Sequence, residues 1–341
     1  MTQSSESVTT GQEIEIDFFR AEDAPGIAGL FRQVYGEGYP INIYYIPERL
    51  IEENEAGHII SSVARRENGE VVGHNALILL DSAIRLYENA AGLVSPSCRG
   101  RNIFPRLFRH TIFGTSERFD IGAIIGEPVC NHTHIQKMCL PLNFKESGLE
   151  VNLMPASAYG LGSDTASRVS VLLGYFKYQP KVQTVYIPSP YQKELEYLYT
   201  GLGLERAFLY SKGDPPSSEK SQGTLKVFES AQVARVNVDT IGNDFQNFIS
   251  RLEKEGRQKG TVIFQIWLPL ASLWVSAATD ILRGYGYFLG GVLPCWPYGD
   301  GLLMQKVGQV PNWEGMALYT DRAKKIQEMV RKDWDAVNTT S

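Results

Sequence analysis

Gly92-Leu93-Val94-Ser95-Pro96-Ser97-Cys98-Arg99-Gly100-Arg101-Asn102-Ile103-Phe104 joins the end of an apolar strand to a turn rich in small and basic residues, and then to the start of a helix. The first N–H groups of a helix have no partner inside it, and the aligned peptide dipoles add about half a positive charge there. A strand, a turn and a helix N-terminus in that order therefore suit an anion such as a phosphate. Arg99 and Arg101 lie in the turn, and Arg106, Arg109 and His110 follow on the helix. Spacing alone leaves a second reading open, in which these cations are a solvated helix face.

Outward from this segment, Ile27, Leu30, Phe31 and Val34 form the apolar stripe of an early helix, with Asp23 as its cap and Pro25 in its first turn. A second helix starts at Pro47. Strands are expected at 59–66 and 70–80, joined by Glu67-Asn68-Gly69, whose Asn-Gly pair is a hairpin signal. A third strand is expected at 83–94, the helix at 102–113, a strand at 119–126, a helix at 133–140, and strands at 145–153 and 168–177. The pattern restarts after Tyr178-Gln179-Pro180-Lys181. A helix at 191–199 and a polar loop at 212–222 precede a strand, helix, strand, helix, strand, strand series from 231 to 307. That order echoes the end of the first half and suggests an internal duplication without a residue-level repeat. A last helix, 321–334, carries Ile326, Met329, Val330 and Trp334.

A chain of 341 residues makes about two domains. Hydrophobic residues at 43% and charged residues at 21% exclude a wholly disordered, collagen-like or coiled-coil chain. With 33 Lys and Arg against 38 Asp and Glu, no global basic field draws nucleic acid or an anionic membrane, so neither is an expected partner. Cys98, Cys130, Cys139 and Cys295 follow no zinc or disulfide spacing, which suits a reducing cytoplasm. Residues 1–13 have neither a cationic start nor an apolar run, and are expected to be a disordered lead rather than a secretion signal. Gly260 to Thr279 is a run of 20 residues without a charge. Pro269 interrupts it, Thr261 to Trp267 is β-branched and aromatic, and helical spacing begins at Leu270, so it reads as strand then helix rather than a membrane span.

Val94-x-Pro96-x-x-Arg99-Gly100-Arg101-Asn102-Ile103-Phe104 resembles the acetyl-CoA signature of the GNAT N-acetyltransferase superfamily, V-x-P-x-x-R-G-x-G-I-G. The resemblance runs from about Ile14 to Lys177 and includes the order of helices and strands, the tyrosine-rich segment 35–45 and the loop 131–137. It implies an α/β (α+β) fold: a mixed, mostly antiparallel sheet flanked by helices, with two such domains in tandem, 14–180 binding acetyl-CoA and 181–341 a degenerate copy. It also implies transfer of acetyl to a small-molecule or peptide amine by direct attack in a ternary complex. A non-catalytic acyl-CoA sensor is the alternative, and a homodimer is possible.

By position, the resemblance implies that the strand edge at Leu93 and Val94 pairs with the pantetheine amides, and that the N–H groups from Arg99 through Gly100, Arg101, Asn102 and Ile103 to Phe104 cradle the pyrophosphate. Asn102 replaces the family's second glycine and Phe104 its final small residue. Asn tolerates left-handed backbone; Phe104 either crowds the phosphate or turns into the core. Asn131, His134 and Gln136 are implied contacts of the cofactor arm. The family's tyrosine acid aligns with Cys139, which is either a thiol acid or a buried hydrophobe. Glu88, six residues before Val94, or Glu127, at the end of the next strand, would be the base. Tyr35, Tyr39 and Tyr44 either line the acceptor pocket or pack. His132 and His134 lack metal-ligand spacing, so no metal is expected. The second half has Val238-Asp239-Thr240-Ile241-Gly242 where the arginine turn would recur, so only the first half is expected to bind CoA.

Overall fold

A computed structural model describes residues 13–159, 168–178, 183–296 and 299–338. The expected lead, apart from its last residue, and the expected boundary at 179–181 lie outside the described residues. The chain divides into two compact units, 1–79 with 88–120, and 80–87 with 121–341.

In the first unit, β1 (Ile14–Phe18), α1 (Ala24–Tyr35), α2 (Pro47–Glu55), β2 (Ile59–Arg66) and most of β3 (Val71–Asp81) and β4 (Leu86–Val94) precede α3 (Ile103–Arg109). The strands run in the order β1-β2-β3-β4. β1 and β3 flank β2 antiparallel, with Ile16 opposite Ala64 and Val63 opposite His74. The β2–β3 turn forms where Asn68-Gly69 predicted it, with Gly69 at φ +83°. Alternation of side chains along β2 and β3 builds two apolar layers. Val63, Val71 and Ala76 pack under Ile27, Leu30, Phe31 and Leu50 of α1 and α2. Ala64 and Val72 pack under Ile103 and Leu107 of α3. α3 continues through a π-helical turn, His110–Gly114, into α4 (Thr115–Arg118).

Asp23 does not cap α1 with its side chain. Its carboxylate takes Arg65 instead: Nε donates to Oδ1 at 2.6 Å and Nη2 to Oδ2, with both side chains almost fully buried. Asp23 Oδ2 also accepts from the Arg20 N–H at 2.7 Å. A buried guanidinium needs a counter-charge more than a helix start needs one acceptor.

His74 is fully buried on β3. A carbonyl only accepts, so the 2.9 Å contact with Ala91 O makes Nδ1 the donor, and Nε2 then accepts from Ser61 Oγ at 3.0 Å. Ala91 stands in left-handed backbone at φ +54° within β4, and the neutral imidazole holds its carbonyl. Burial pushes the pKa of His74 down to about 4. The unfolded chain therefore binds a proton before the native one does. The contribution of His74 to stability is present above about pH 6.5 and is lost toward pH 4, with a slope of about 1.4 kcal/mol per pH unit. Urea unfolding of the wild type and His74→Gln across that range should show this component only in the wild type.

The second unit contains β5 (Ala123–Gly126), α5 (His134–Cys139), β6 (Lys145–Pro155), β7 (Arg168–Tyr178), β8 (Gln183–Ile187), α6 (Gln192–Leu202), β9 (Arg206–Tyr210), β10 (Gln222–Phe228), β11 (Val233–Thr240), α7 (Phe245–Gln258), β12 (Ile263–Pro269), α8 (Val275–Gly284), β13 (Phe288–Trp296), β14 (Gly299–Val307) and α9 (Asp321–Asn338). Its large sheet runs β5-β7-β6-β13-β14-β12-β11-β10, and β8 pairs with β9 in parallel. The sets β5-β7-β6 and β12-β14-β13 have the same order and antiparallel pairing, and meet where β6 Gly148 faces β13 Gly291. A Cβ on Gly148 would lie 2.6 Å from Gly290 O, and one on Gly291 would lie 2.3 Å from the Gly148 Cα. Only glycine permits that crossing.

The charge-free run is β12 followed by α8, and all seven residues of β12 are buried, as in a central strand covered on both faces. Among the described residues no helix is long and apolar enough to cross a membrane. α9 packs Ala323, Ile326 and Val330 into the core, and its Asp333 carboxylate accepts from Tyr191 Oη and the Leu289 N–H, both at 2.7 Å.

Candidate functional site

The turn between β4 and α3 has the backbone that its residue types allow. After one 3-10 turn, Pro96–Cys98, Arg99 is extended, Gly100 takes φ +77°, and Asn102 stands at the helix start with φ +57° and ψ +23°. Asn102 thus holds the left-handed conformation in place of a glycine. A Cβ on Gly100 would meet nothing within 4 Å, so the turn is open. No side chain caps α3 and its first turn carries no acid, which leaves the positive end of the helix uncompensated.

Of the basic cluster, Arg106 donates to Ile14 O at 3.0 Å, Arg109 lies 4.8 Å over the Phe113 ring, and His110 Nδ1 contacts Ser62 Oγ at 3.0 Å. These three serve the fold. Arg99 and Arg101 are exposed at the turn, and the charge of Arg99 acts on Tyr35.

Phe104 turns inward. Its ring lies parallel to Phe108 with centroids 5.9 Å apart, and a Cβ on Gly92 would come within 2.7 Å of it. It fills the space that Gly92 leaves on β4 and stays clear of the turn at Gly100. Ile103, Leu93 and Val94 also bury their side chains, so only their backbone groups are available to a ligand.

Tyr44 is fully buried, stacked on Phe31 at 4.4 Å and 9°, with Tyr39 edge-on at 5.6 Å. As a pocket-lining residue it is therefore corrected to a core residue. Its hydroxyl has no hydrogen-bond partner, and burial, then the charges of Tyr39 and Glu88, push its pKa well up. Glu88, half-buried on β4, is thereby placed near this phenol. Tyr39 is half-buried and Tyr35 is 40% exposed, so Tyr35 is the most accessible of the three.

In the second unit, Glu127 follows β5, and Arg235 Nη2 lies 3.8 Å from its Oε1. Asn131 Oδ1 and His132 Nδ1 are buried without partners, while His134 is exposed. Two expectations are corrected here. Gln136 is buried, and its amide donates to Val129 O, His132 O and Ala317 O and accepts from the Tyr319 N–H, which leaves nothing for a cofactor. Cys139 is 1% exposed, and burial pushes its thiol up to about 12. It is a small core residue rather than an acid. Alkylation of the native protein followed by peptide mass spectrometry should leave Cys139 and the equally buried Cys130 unlabelled; rapid labelling of either would contradict their burial.

The turn after β11 is filled by its own chain. A Cβ on Gly242 would lie 2.4 Å from the backbone of Lys220 and Ser221. The Gly242 N–H donates to Ser221 Oγ at 3.0 Å and the Asn243 N–H to Glu219 O at 3.1 Å. The Asp244 carboxylate accepts from the Ser221 N–H at 2.8 Å, a bond that lowers its pKa. β11 and β12 also pair without interruption from Val233–Ile263 to Asn237–Trp267.

No family model and no curated protein matches the chain. Among solved structures, a ribosomal-protein-S5-alanine acetyltransferase from Vibrio fischeri shares 14% identity at a TM-score of 0.39, covering 47% of this chain and 91% of its own. An N-acetyltransferase from Staphylococcus aureus Mu50 shares 18% at 0.37, over 48% and 99%. A GNAT family N-acetyltransferase from Escherichia coli, solved in complex with CoA, shares 17% at 0.34, over 50% and 86%. All three are acetyltransferases.

Sequence reasoning missed a polar network inside the second unit, made by Glu150 on β6, Arg235 on β11 and Gln265 on β12. Its signal was available: Glu150 interrupts the apolar run of β6, and Gln265 is the one amide in the charge-free run 260–279.

Proposed function

We propose that the chain is an acyl-CoA-dependent N-acyltransferase that moves acetyl from acetyl-CoA to an amine. The observation that carries this reading is the open turn at Arg99–Asn102, with its left-handed Asn102, its uncapped helix start and its two exposed arginines. The residues fit the cofactor: N–H groups from Gly100 to Phe104 and the Arg99 and Arg101 guanidinium groups would hold the pyrophosphate, and the Phe104 ring leaves the turn clear. The backbone at Leu93 and Val94 would bond the pantetheine amides and polarise the thioester carbonyl.

The amine would attack that carbonyl directly, its proton passing to Glu88, and the acetyl carbon–sulfur bond would then break, with CoA leaving as its thiolate. Glu88 is preferred to Glu127 because it shares β4 with Leu93 and Val94, whereas Glu127 lies beside Arg235. The acyl-CoA half is proposed as 14–180 and the half without a cofactor site as 181–341, a reading supported by the filled turn at Gly242. Cys98, Cys130 and Cys139 are unpaired, which supports a reducing compartment such as the cytoplasm.

Calorimetric titration with acetyl-CoA, with desulfo-CoA and ADP as controls, tests the reading. Micromolar binding of acetyl-CoA and desulfo-CoA, and weaker binding of ADP, is expected. No binding at millimolar concentrations overturns it. Glu88→Gln should then bind acetyl-CoA as the wild type does but lose amine acetylation; retained acetylation would remove Glu88 as the base.

A further inference from the structure

β4 is irregular three residues before its end. Ala91 stands at φ +54°, in left-handed backbone where alanine is strained, although strand continues on both sides of it. Strain of this kind persists only where the surroundings impose it, and it gathers at functional positions. Gly92 beside it is exposed, whereas Leu93 and Val94 after it are buried. A Cβ on Gly92 would lie 2.7 Å from both Asn75 Oδ1 and the Phe104 ring. That side is filled, so the exposed surface of Gly92 faces away from α3.

His74 imposes the irregularity. Its Nδ1 donates to Ala91 O at 2.9 Å, and its Nε2 accepts from the buried Ser61 hydroxyl at 3.0 Å. The ring cannot swing aside, because Phe31 and Tyr44 stand edge-on to it with centroids 5.6 and 5.4 Å away. Burial keeps it neutral, so one tautomer faces the carbonyl. A peptide unit is planar and trans, which sets the Gly92 N–H opposite to Ala91 O. Holding the carbonyl on the buried ring therefore turns the Gly92 N–H away from that ring, on a residue that is exposed.

We propose that His74 is a positioning residue for acyl transfer: by holding Ala91 O it aims the Gly92 N–H at the thioester carbonyl of bound acetyl-CoA. This rests on the acyl-CoA reading and adds to it a further donor and the side chain that sets it. With Leu93 and Val94 paired to the pantetheine arm, the carbonyl lies next to Gly92, and Glu88 is four residues upstream on the same strand. As the amine attacks, the carbonyl π pair moves onto oxygen. A donor already pointed at that oxygen stabilises the new charge without reorganising. The pair returns as the carbon–sulfur bond breaks, the thiolate leaves, and the amine proton passes to Glu88. His74 gives and takes no proton in this sequence.

The test compares acetyl-CoA with S-ethyl-CoA, which lacks the carbonyl, by calorimetric titration of the full chain, and reads the carbonyl stretch of isotope-labelled acetyl-CoA by infrared difference spectroscopy. The wild type should prefer acetyl-CoA by about fivefold or more, the worth of one hydrogen bond. His74→Gln carries its amide to the place of Nε2 rather than Nδ1. It should bring that ratio to about one and raise the bound carbonyl frequency, with S-ethyl-CoA affinity unchanged. His74→Asn, whose amide nitrogen replaces Nδ1, should keep both signals. Ala91→Val, in which a branched side chain resists left-handed backbone, should lose both without touching the ring, and decides the matter should His74→Gln not fold. No binding of either ligand overturns this inference together with the acyl-CoA reading. Binding of both with equal affinity in the wild type, or with the same ratio in wild type, His74→Gln and Ala91→Val, overturns this inference alone.

Discussion

Reversing the charges of Arg99 and Arg101 together, Arg99→Glu with Arg101→Glu, should weaken acetyl-CoA binding about a hundredfold or more at low salt and leave the fold intact. A hydrogen bond to a charged group contributes about 1.5–3 kcal/mol, and the double variant removes such bonds and places two carboxylates beside the pyrophosphate. Loss of about 3 kcal/mol is about two orders of magnitude in affinity. Both side chains are exposed, so the difference should shrink as salt screens it. Circular dichroism and urea unfolding should match the wild type, because Ile103 and Leu107 beneath the helix are unchanged. Calorimetry at low and high salt is the measurement. Wild-type affinity in the double variant would place the anion elsewhere and remove the main support for the acyl-CoA reading. Asn102→Gly should bind nearly as well as the wild type, since glycine adopts φ +57° freely.

Asp23→Ala should destabilise the first unit by about 3–5 kcal/mol, the range seen when one partner of a buried ion pair is removed. The exposure of the pair, 4% for Arg65 and 2% for Asp23, separates it from the surface pairs around Arg20 or Arg49, whose loss costs about 0–1 kcal/mol. Arg65 would keep one bond, to Phe18 O at 2.8 Å, and would be left with a buried charge facing no carboxylate. Urea unfolding gives the value. The double change Asp23→Leu with Arg65→Met should recover most of the loss, because it removes both charges. A single variant within about 1 kcal/mol of the wild type would show that water reaches the guanidinium.

The fate of Asp23 also shows how far the sequence could be read. Local rules were reliable where the partners were local: the Asn68-Gly69 hairpin, the stripe Ile27, Leu30 and Phe31 on α1, and the left-handed Asn102. They failed where a distant residue competed, as Arg65 does from 42 positions away. The inward turn of Phe104 depends on Gly92 across the layer, and only the fold brings the two together. β1, β8, β9 and β10 escaped notice because each is only five to seven residues long and only partly buried, even though Ile14, Ile16 and Phe18 alternate along β1. At the site, the turn could be read from its spacing. The saturation of Gln136 by Ala317 and Tyr319, and the meeting of Glu150 with Gln265, span more than a hundred residues and left only the trace of a polar residue in an apolar strand.

The crossing of Gly148 and Gly291 joins two equivalent strand sets within one polypeptide. Had they been separate chains, their meeting would follow mass action, and dilution would part them. Covalent linkage makes the encounter first order, with an effective concentration fixed by the intervening chain. The midpoint of unfolding should accordingly be the same at every protein concentration. Each set is then also free to change without its twin.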